Sequence, residues 1–528
     1  DAGNDFGTVT LASAGTGSIT SASITDANAL NVGGNAGTLT ADAGGALDFT
    51  GGTYTTLNGT AGGNVSQSGA LTVSGTTTLT SDAAAITATL DNVANEFNTV
   101  NLVEAGGTFT GLDLFDADTA ADGLTLQNAN ITGGGNITVA ANGGMTVTGT
   151  VQTDSGDISL NADADSTGAG LFTLAAAAQI NSGNDFTLTG ADFDFDATSS
   201  ITVAGVFDLV FSQPGDLCLG DAAGGIGCQI SLDNTDLSVL TPIATDLELD
   251  NSGQAIRADN AIFNGINIAL IAATIDNDAL VTTIGLTDID NLTMTATGSI
   301  GGLQALGVSA ATVDVTDALD VTLFDDGAGA TDYTIGSNTT VGAVTITEST
   351  SDLTISSIDA NSNVVLDAQV ASLNINGNID AGGTVQLNGT TAINLGADVT
   401  TTAGNIEFYD AVVVTADSAV DTSVGGGNII FTGLVEGLAA NAQSLTLTAG
   451  AGNVDMQQAV GGVTSLANFE IVSATQADLA SITADDIAVT ATLINLNGTD
   501  YIAENGGVTL DGAVVLAGSV SIDSSLAD

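Results

Sequence analysis

The chain is predicted to be all-β and wound as a parallel β-helix, a β-solenoid with roughly 20–23 residues per coil. Three observations predict it. Short runs of alternating apolar and polar residues recur between Gly, Asn and Asp; like runs return at about 20-residue spacing; and helix-type apolar spacing with caps is nearly absent.

The alternating unit is seen in Gly135-Asn-Ile-Thr-Val139, Gly156-Asp-Ile-Ser-Leu160 and Asn184-Asp-Phe-Thr-Leu188. It returns in Gly404-Asn-Ile-Glu-Phe408, Gly427-Asn-Ile-Ile-Phe431 and Gly452-Asn-Val-Asp-Met456. A turn residue followed by a period-two run is a strand signature, and Thr, Val and Ile supply the strand propensity. Ile137 to Ile158 is 21 positions, Ile375 to Leu395 is 20, Val385 to Ile406 is 21 and Ile406 to Ile429 is 23. That recurrence fits one coil of about three short strands per repeat. A longer repeat lies over it: Asn4-Asp-Phe-Gly-Thr-Val-Thr-Leu11 returns as Asn95-Glu-Phe-Asn-Thr-Val-Asn-Leu102, 91 positions on. Propellers and strings of β-sandwiches also use short strands, but they favour hairpin turns and aromatic anchors, and Trp is absent. Asn suits the corners of a parallel coil, because it tolerates left-handed backbone and stacks in hydrogen-bonded ladders.

No domain boundary is evident, so 1–528 is read as one continuous solenoid. Coils are expected over 1–212 and 230–528, with 213–229 ejected as a loop. Cys218 and Cys228 flank the Gly-rich centre of that loop and are either a local disulfide or two buried free thiols. Two Cys without His make a poor zinc site, whereas a disulfide fits an oxidising, extracellular setting.

Composition narrows the function. The 528 residues include no Lys, no His and one Arg, Arg257, against 61 Asp and Glu, for a net charge of −60. Nucleic-acid binding needs a basic footprint, so it is excluded as a partner. Hydrophobic residues make up 44%, which separates the chain from acidic disordered tails. Two Pro and no Gly-X-Y register set aside collagen and Pro-rich linkers. No apolar run reaches the roughly 18–20 residues of a membrane-spanning helix. The segment opens at Asp1 without a basic leader, so a secretion signal is expected to lie outside it or to have been removed.

Roughly 25 coils at about 4.8 Å spacing would make a rod on the order of 120 Å long, carrying about one charge per 2 Å. Like residues stack between coils, and two carboxylates at about 4.8 Å repel by about 0.9 kcal/mol even in bulk water. Divalent cations or high salt are therefore expected to stabilise the fold.

Several phrases carry a family resemblance. Asn4-Asp-Phe with Ile24-Thr-Asp-Ala-Asn-Ala-Leu30, Ser68-Gly-Ala-Leu-Thr-Val-Ser-Gly-Thr-Thr-Thr-Leu79 and Gln443-Ser-Leu-Thr-Leu-Thr-Ala-Gly-Ala-Gly-Asn-Val454 resemble the repeats of filamentous-haemagglutinin-like giant bacterial surface exoproteins. The likeness is densest in 1–190 and 370–528. It implies a right-handed parallel β-helix, export to the surface of a diderm bacterium, and a role in adhesion, matrix or filament formation. Two departures stand out: no amino-terminal secretion domain is recognisable, and the Lys and Arg usual in such repeats are missing.

Oxygen-rich turns are candidate calcium sites. The candidate ligands are Asp116, Asp118 and Asp122; Asp192, Asp194 and Asp196; and Asp325 and Asp326. Alternation sets the three Asp of 192–196 on one face and Phe193 and Phe195 on the other. The competing reading is a solvated face with diffuse counterions. Asn161-Ala-Asp-Ala-Asp165 opens like an EF-hand loop, but Ser166 stands where that loop requires Gly. Paired carboxylates identify no glycosidase here, since near pairs arise by chance among 61 acids. The expected function is a secreted, non-enzymatic structural protein of a surface filament, sheath or adhesin stalk, self-associating and cation-supported. A glycan- or cell-surface-binding module is the alternative, and a polysaccharide-active enzyme the third reading.

Overall fold

A computed structural model describes residues 3–13, 17–119, 123–220, 228–240, 246–277, 285–302, 304–325, 331–336 and 340–524, with the side chains of 228, 229, 246 and 252 left aside. It is a parallel β-solenoid of about 23 turns. The chain divides into two compact units, Asp1–Ala255 with Ala261–Ala269, and Ile256–Asn260 with Leu270–Asp528. One short helix, Asn234–Leu240, is the sole helix among the described residues, and none there is long and apolar enough to cross a membrane.

In the first unit an inward column runs Ile137, Ile158, Phe186, Phe207, Leu247, each in register with the next. In the second unit Val321, Val344, Val364, Val385, Ile406, Ile429, Val454, Ala477 and Ile494 form one such column. Two residues along each strand stands a parallel column that includes Leu366, Leu387, Phe408, Phe431 and Met456. The four recurrences measured in the sequence are therefore register partners in the wall. Both columns are buried, and each fully buried large apolar side chain contributes about 1.5–3 kcal/mol. Coil spacing of about 4.8 Å also matches ring-stacking distance. Phe408 lies on Phe431 at 4.2 Å with planes 4° apart, and Phe186 on Phe207 at 5.0 Å.

Corners are closed by Asn and Asp of the preceding coil. Asn405 Oδ1 accepts the Asn428 N–H at 2.9 Å, and Asn428 Oδ1 accepts the Asn453 N–H at 2.9 Å. In the first unit Asn136 Oδ1 accepts from Asp157 N and Asp185 Oδ1 from Val206 N, both at 2.9 Å. Each bond satisfies an amide that turns out of the strand ladder at a corner. The ladder expected from sequence is thus present, but its reason is acceptor chemistry: Asn405, Asn428 and Asn453 are not among the non-Gly residues with positive φ.

The Gly preceding each of these Asn is there for close approach. A Cβ on Gly427 would lie 1.9 Å from the Gly404 carbonyl oxygen, and one on Gly452 would lie 1.9 Å from that of Gly427. Gly427→Ala is expected to destabilise the second unit by about 3 kcal/mol, read as a shift in urea midpoint at unchanged slope.

The stretch 213–229 is only partly a loop. Asp216–Gly220 is a strand with Leu217, Cys218 and Leu219 buried, and it pairs in parallel with Cys228–Leu232; residues 221–227 lie outside the described residues. An apolar Leu-Cys-Leu triplet is what draws it into the wall. The helix that follows is held by a reciprocal cap. Asp233 Oδ1 accepts from Thr235 N at 2.7 Å and Asp236 N at 3.0 Å, while Asp236 Oδ2 accepts from Asp233 N at 2.9 Å.

Candidate functional site

The fold and its stacked corners define a repeat protein of the parallel β-solenoid class. A family described as repeats of unknown function (DUF5649) matches residues 36–104, the stack in which Ala36–Ala43, Gly52–Ala61, Leu71–Ser81 and Glu96–Glu104 pair in succession. No curated protein and no solved structure matches the chain.

The acidic runs separate when placed on this frame. Asp116 is turned inward and fully buried; its Oδ1 accepts the Phe97 N–H at 2.8 Å, and its Oδ2 is buried without a hydrogen bond. Asp118 is half-buried beside it, and Asp122 lies outside the described residues. Asp192, Asp194 and Asp196 share the outer face with Phe193 and Phe195 buried behind, as alternation predicted. Asp192 accepts from Ser231 N at 3.3 Å, and Asp196 accepts from Thr198 N and Oγ1 at 2.8 and 2.6 Å. Those Thr198 bonds hold the Asp196 carboxyl below its ordinary range, whereas burial raises that of Asp192. Asp325 is fully buried, and Asp326 lies outside the described residues. Among the described residues no group of three or more His, Cys, Asp or Glu converges as a metal set, and no cysteine is free. Cys218 is fully buried; the Cys228 side chain lies outside the described residues.

In the EF-hand-like run, Asp163 points inward and accepts from Gly168 N at 3.2 Å and from the Ser212 hydroxyl, while Asp165 caps Thr167. Asp165 is thus occupied by its own turn, and Asp163 by its turn together with Ser212 and Gln213 some fifty residues on.

Sequence reading missed a recurrent buried latch. Asp26 accepts the Phe6 N–H, Asp116 that of Phe97, and Asp236 that of Phe195. The first two hold equivalent places in the long repeat, the Phe 91 and the Asp 90 positions apart, and the residue after each Asp also repeats its bond, Ala27 N to Asn4 O and Ala117 N to Asn95 O. The repeat of Asn-x-Phe with a later Asp-Ala was the signal. Burial, outweighing the amide bonds, pushes the Asp116 and Asp236 carboxyls up to about 6.

The outer charges are also more ordered than a uniform line. Among the described register pairs, acid stands on acid four times: Asp208 on Glu248, Asp325 on Glu348, Asp359 on Asp380 and Asp455 on Asp478. Elsewhere a neutral donor commonly intervenes. Asn388 Nδ2 donates to Asp367 at 2.6 Å, Asn495 Nδ2 to Asp478 at 2.6 Å, Ser66 Oγ to Asp48 at 3.0 Å and Gln386 Nε2 to Glu407 at 3.1 Å. Charge-assisted bonds replace stacked repulsion there.

A groove of about 900 Å³ runs beside the first coils, where Ser18, Thr20, Asn35, Thr53, Thr55 and Ser74 present hydroxyls and an amide. The Tyr54 phenol behind it is buried without a partner and is pushed up to about 12 by burial.

Proposed function

We propose that this chain is a stretch of a secreted, non-enzymatic structural scaffold of a bacterial surface filament, sheath or adhesin stalk. On this reading it resembles the repeats of filamentous-haemagglutinin-like exoproteins. The observation that carries the reading is the unbroken inward column from Val321 to Ile494, whose corners are spent on stacking coil on coil. One further feature supports it: no described cysteine is free, which fits an oxidising exterior.

Electron microscopy over a concentration series, with and without EDTA, tests the proposal. Filaments that lengthen with concentration and fray on chelation are expected; particles of one fixed size under every condition would overturn self-assembly. The hydroxyl-lined groove favours a second reading, a glycan-binding module. Saturable binding on a glycan array, lost in Asn35→Trp, would select that reading instead.

A further inference from the structure

One outer face of the first unit is a grid of hydroxyls and amides. Its main column carries Thr on seven successive coils. Thr38 pairs with Thr56, and Thr76 with Thr99; Thr56 and Thr76 are joined through the pair that follows them, Leu57 with Thr77. Thr99 then pairs with Thr125, Thr125 with Thr146 and Thr146 with Thr173. Two residues along the strands lies a second column, in which Thr40 pairs with Asn58, Asn58 with Thr78 and Thr78 with Asn101. Counted in sequence, the steps of the main column are uneven, at 18, 20, 23, 26, 21 and 27 residues. Only the register makes them an array. Coil spacing of about 4.8 Å and a two-residue strand step of about 6.6 Å set its mesh, and six coil steps make it about 29 Å long.

Three properties set this face apart. Neither column carries an acid between Thr38 and Thr173, in a chain with 61 of them; Asp42 and Glu96 stand at the margins, and Asp194 follows Thr173. A neighbouring outer column is different, with Asp113 on Thr138 and Thr187 on Asp208. The hydroxyls are also idle. Elsewhere outward hydroxyls serve carboxylates, as Ser66 serves Asp48 and Ser356 serves Asp332. Among the described residues only Thr99 of the seven spends its hydroxyl within the protein, donating to Asn98 at 3.0 Å. Finally, Thr is stiff at χ1, so its hydroxyl and methyl are already oriented before anything binds.

A hydroxyl both donates and accepts, whereas a carboxylate only accepts. A rigid, uncharged grid of hydroxyls can therefore hold water molecules that also bond to one another, at little further cost in entropy. The mesh is close to the oxygen repeats on the prism face of ice. We propose that this face binds ice, the Thr hydroxyls and methyls ordering a first layer of water that merges with the crystal lattice. The inference goes beyond the scaffold reading and does not rest on it, since it needs only the stacked coils.

Partition of the full chain into slowly growing ice, with observation of crystal growth just below the melting point, tests it. The wild type is expected to enter ice at least tenfold more than a non-binding carrier protein and to hold crystals at fixed size. Thr76→Tyr and Thr125→Tyr, each setting a ring on a different rung, should cut that enrichment at least fivefold. Thr138→Tyr, on the acid-bearing column, should keep it. Circular dichroism checks the fold of each variant, and the two rungs are tested separately so that loss of one fold leaves the other. Wild-type enrichment equal to the carrier, or equal enrichment in the wild type and both rung variants, overturns the proposal. So does a wild type that sediments as a dimer, stays out of ice and becomes monomeric in Thr76→Tyr, which would assign the face to a second copy. Microscopy scores the scaffold and ice partition scores the face, so either can fail alone.

Discussion

Phe431→Ala is expected to lower the stability of the second unit by about 4 kcal/mol. Phe431 is fully buried and lies flat on Phe408 at 4.2 Å, with Met456 next in its column. Truncation removes the transfer energy of a whole ring, the ring–ring contact and the packing on both sides. The wall has little means to close the gap, because the coil above and the coil below are held at fixed spacing by strand ladders and by the Asn405–Asn428–Asn453 corner. Phe431→Leu should cost far less, about 1 kcal/mol, since it keeps most of the volume. Urea denaturation followed by circular dichroism measures both. Solenoids couple through nearest neighbours, so the Ala variant should also broaden the transition as coils on either side begin to unfold separately. A loss below about 1.5 kcal/mol would show that the column collapses around the gap.

The first unit should become more stable as pH falls from about 7.5 to about 5, the reverse of ordinary acid denaturation. Asp116 and Asp236 are the cause: burial lifts their folded carboxyls to about 6, above the unfolded value. A carboxyl raised in the folded state contributes stability that is complete below its unfolded value and is lost as pH rises through the folded one. Allowing for partial solvent screening, each is worth about 1–2 kcal/mol over that interval. Asp116→Asn should therefore match or exceed the wild type at pH about 7.5 and respond less to acid, and the double variant with Asp236→Asn should respond least. Asp196 and Glu407 have carboxyls held low by hydroxyl donors, so their stabilisation is present above the unfolded value and lost as pH falls through the folded one. Flat or falling stability from pH about 7.5 to 5, or equal slopes in wild type and double variant, would remove the latches as the cause.

Much of the architecture was legible because solenoid packing is written locally. Ile137 and Ile158 occupy matching places in matching phrases, and the same side chains meet in the wall. The Gly-Asn pairs at 404, 427 and 452 likewise mark one corner three times. What was missed is that the inward phase runs on through the last residue of a strand. Alternation places Asp194 outward in mid-strand, and it equally carries Asp116 inward after Leu112 and Leu114 and Asp325 inward after Val321 and Leu323, although acidic residues at those places read as turn residues. Asp325 could be paired correctly only through register with Glu348, a non-local fact. The helix Asn234–Leu240 escaped for another reason: seven residues are too few for a period, although the Asp233–Asp236 cap and Leu237 and Leu240 mark it in retrospect.

The register partners also show how loosely chain length is tied to the wall. Leu30 stacks on Leu47, 17 residues on; Ile158 stacks on Phe186, 28 on; and Phe207 stacks on Leu247, 40 on. The surplus is absorbed outside the columns, and the next strand returns to phase. A gene encoding such a protein can lengthen, shorten or duplicate one turn without renegotiating the rest. The same freedom offers the laboratory a carrier: foreign peptides placed within the long turns would be displayed at fixed height on an otherwise unaltered stack.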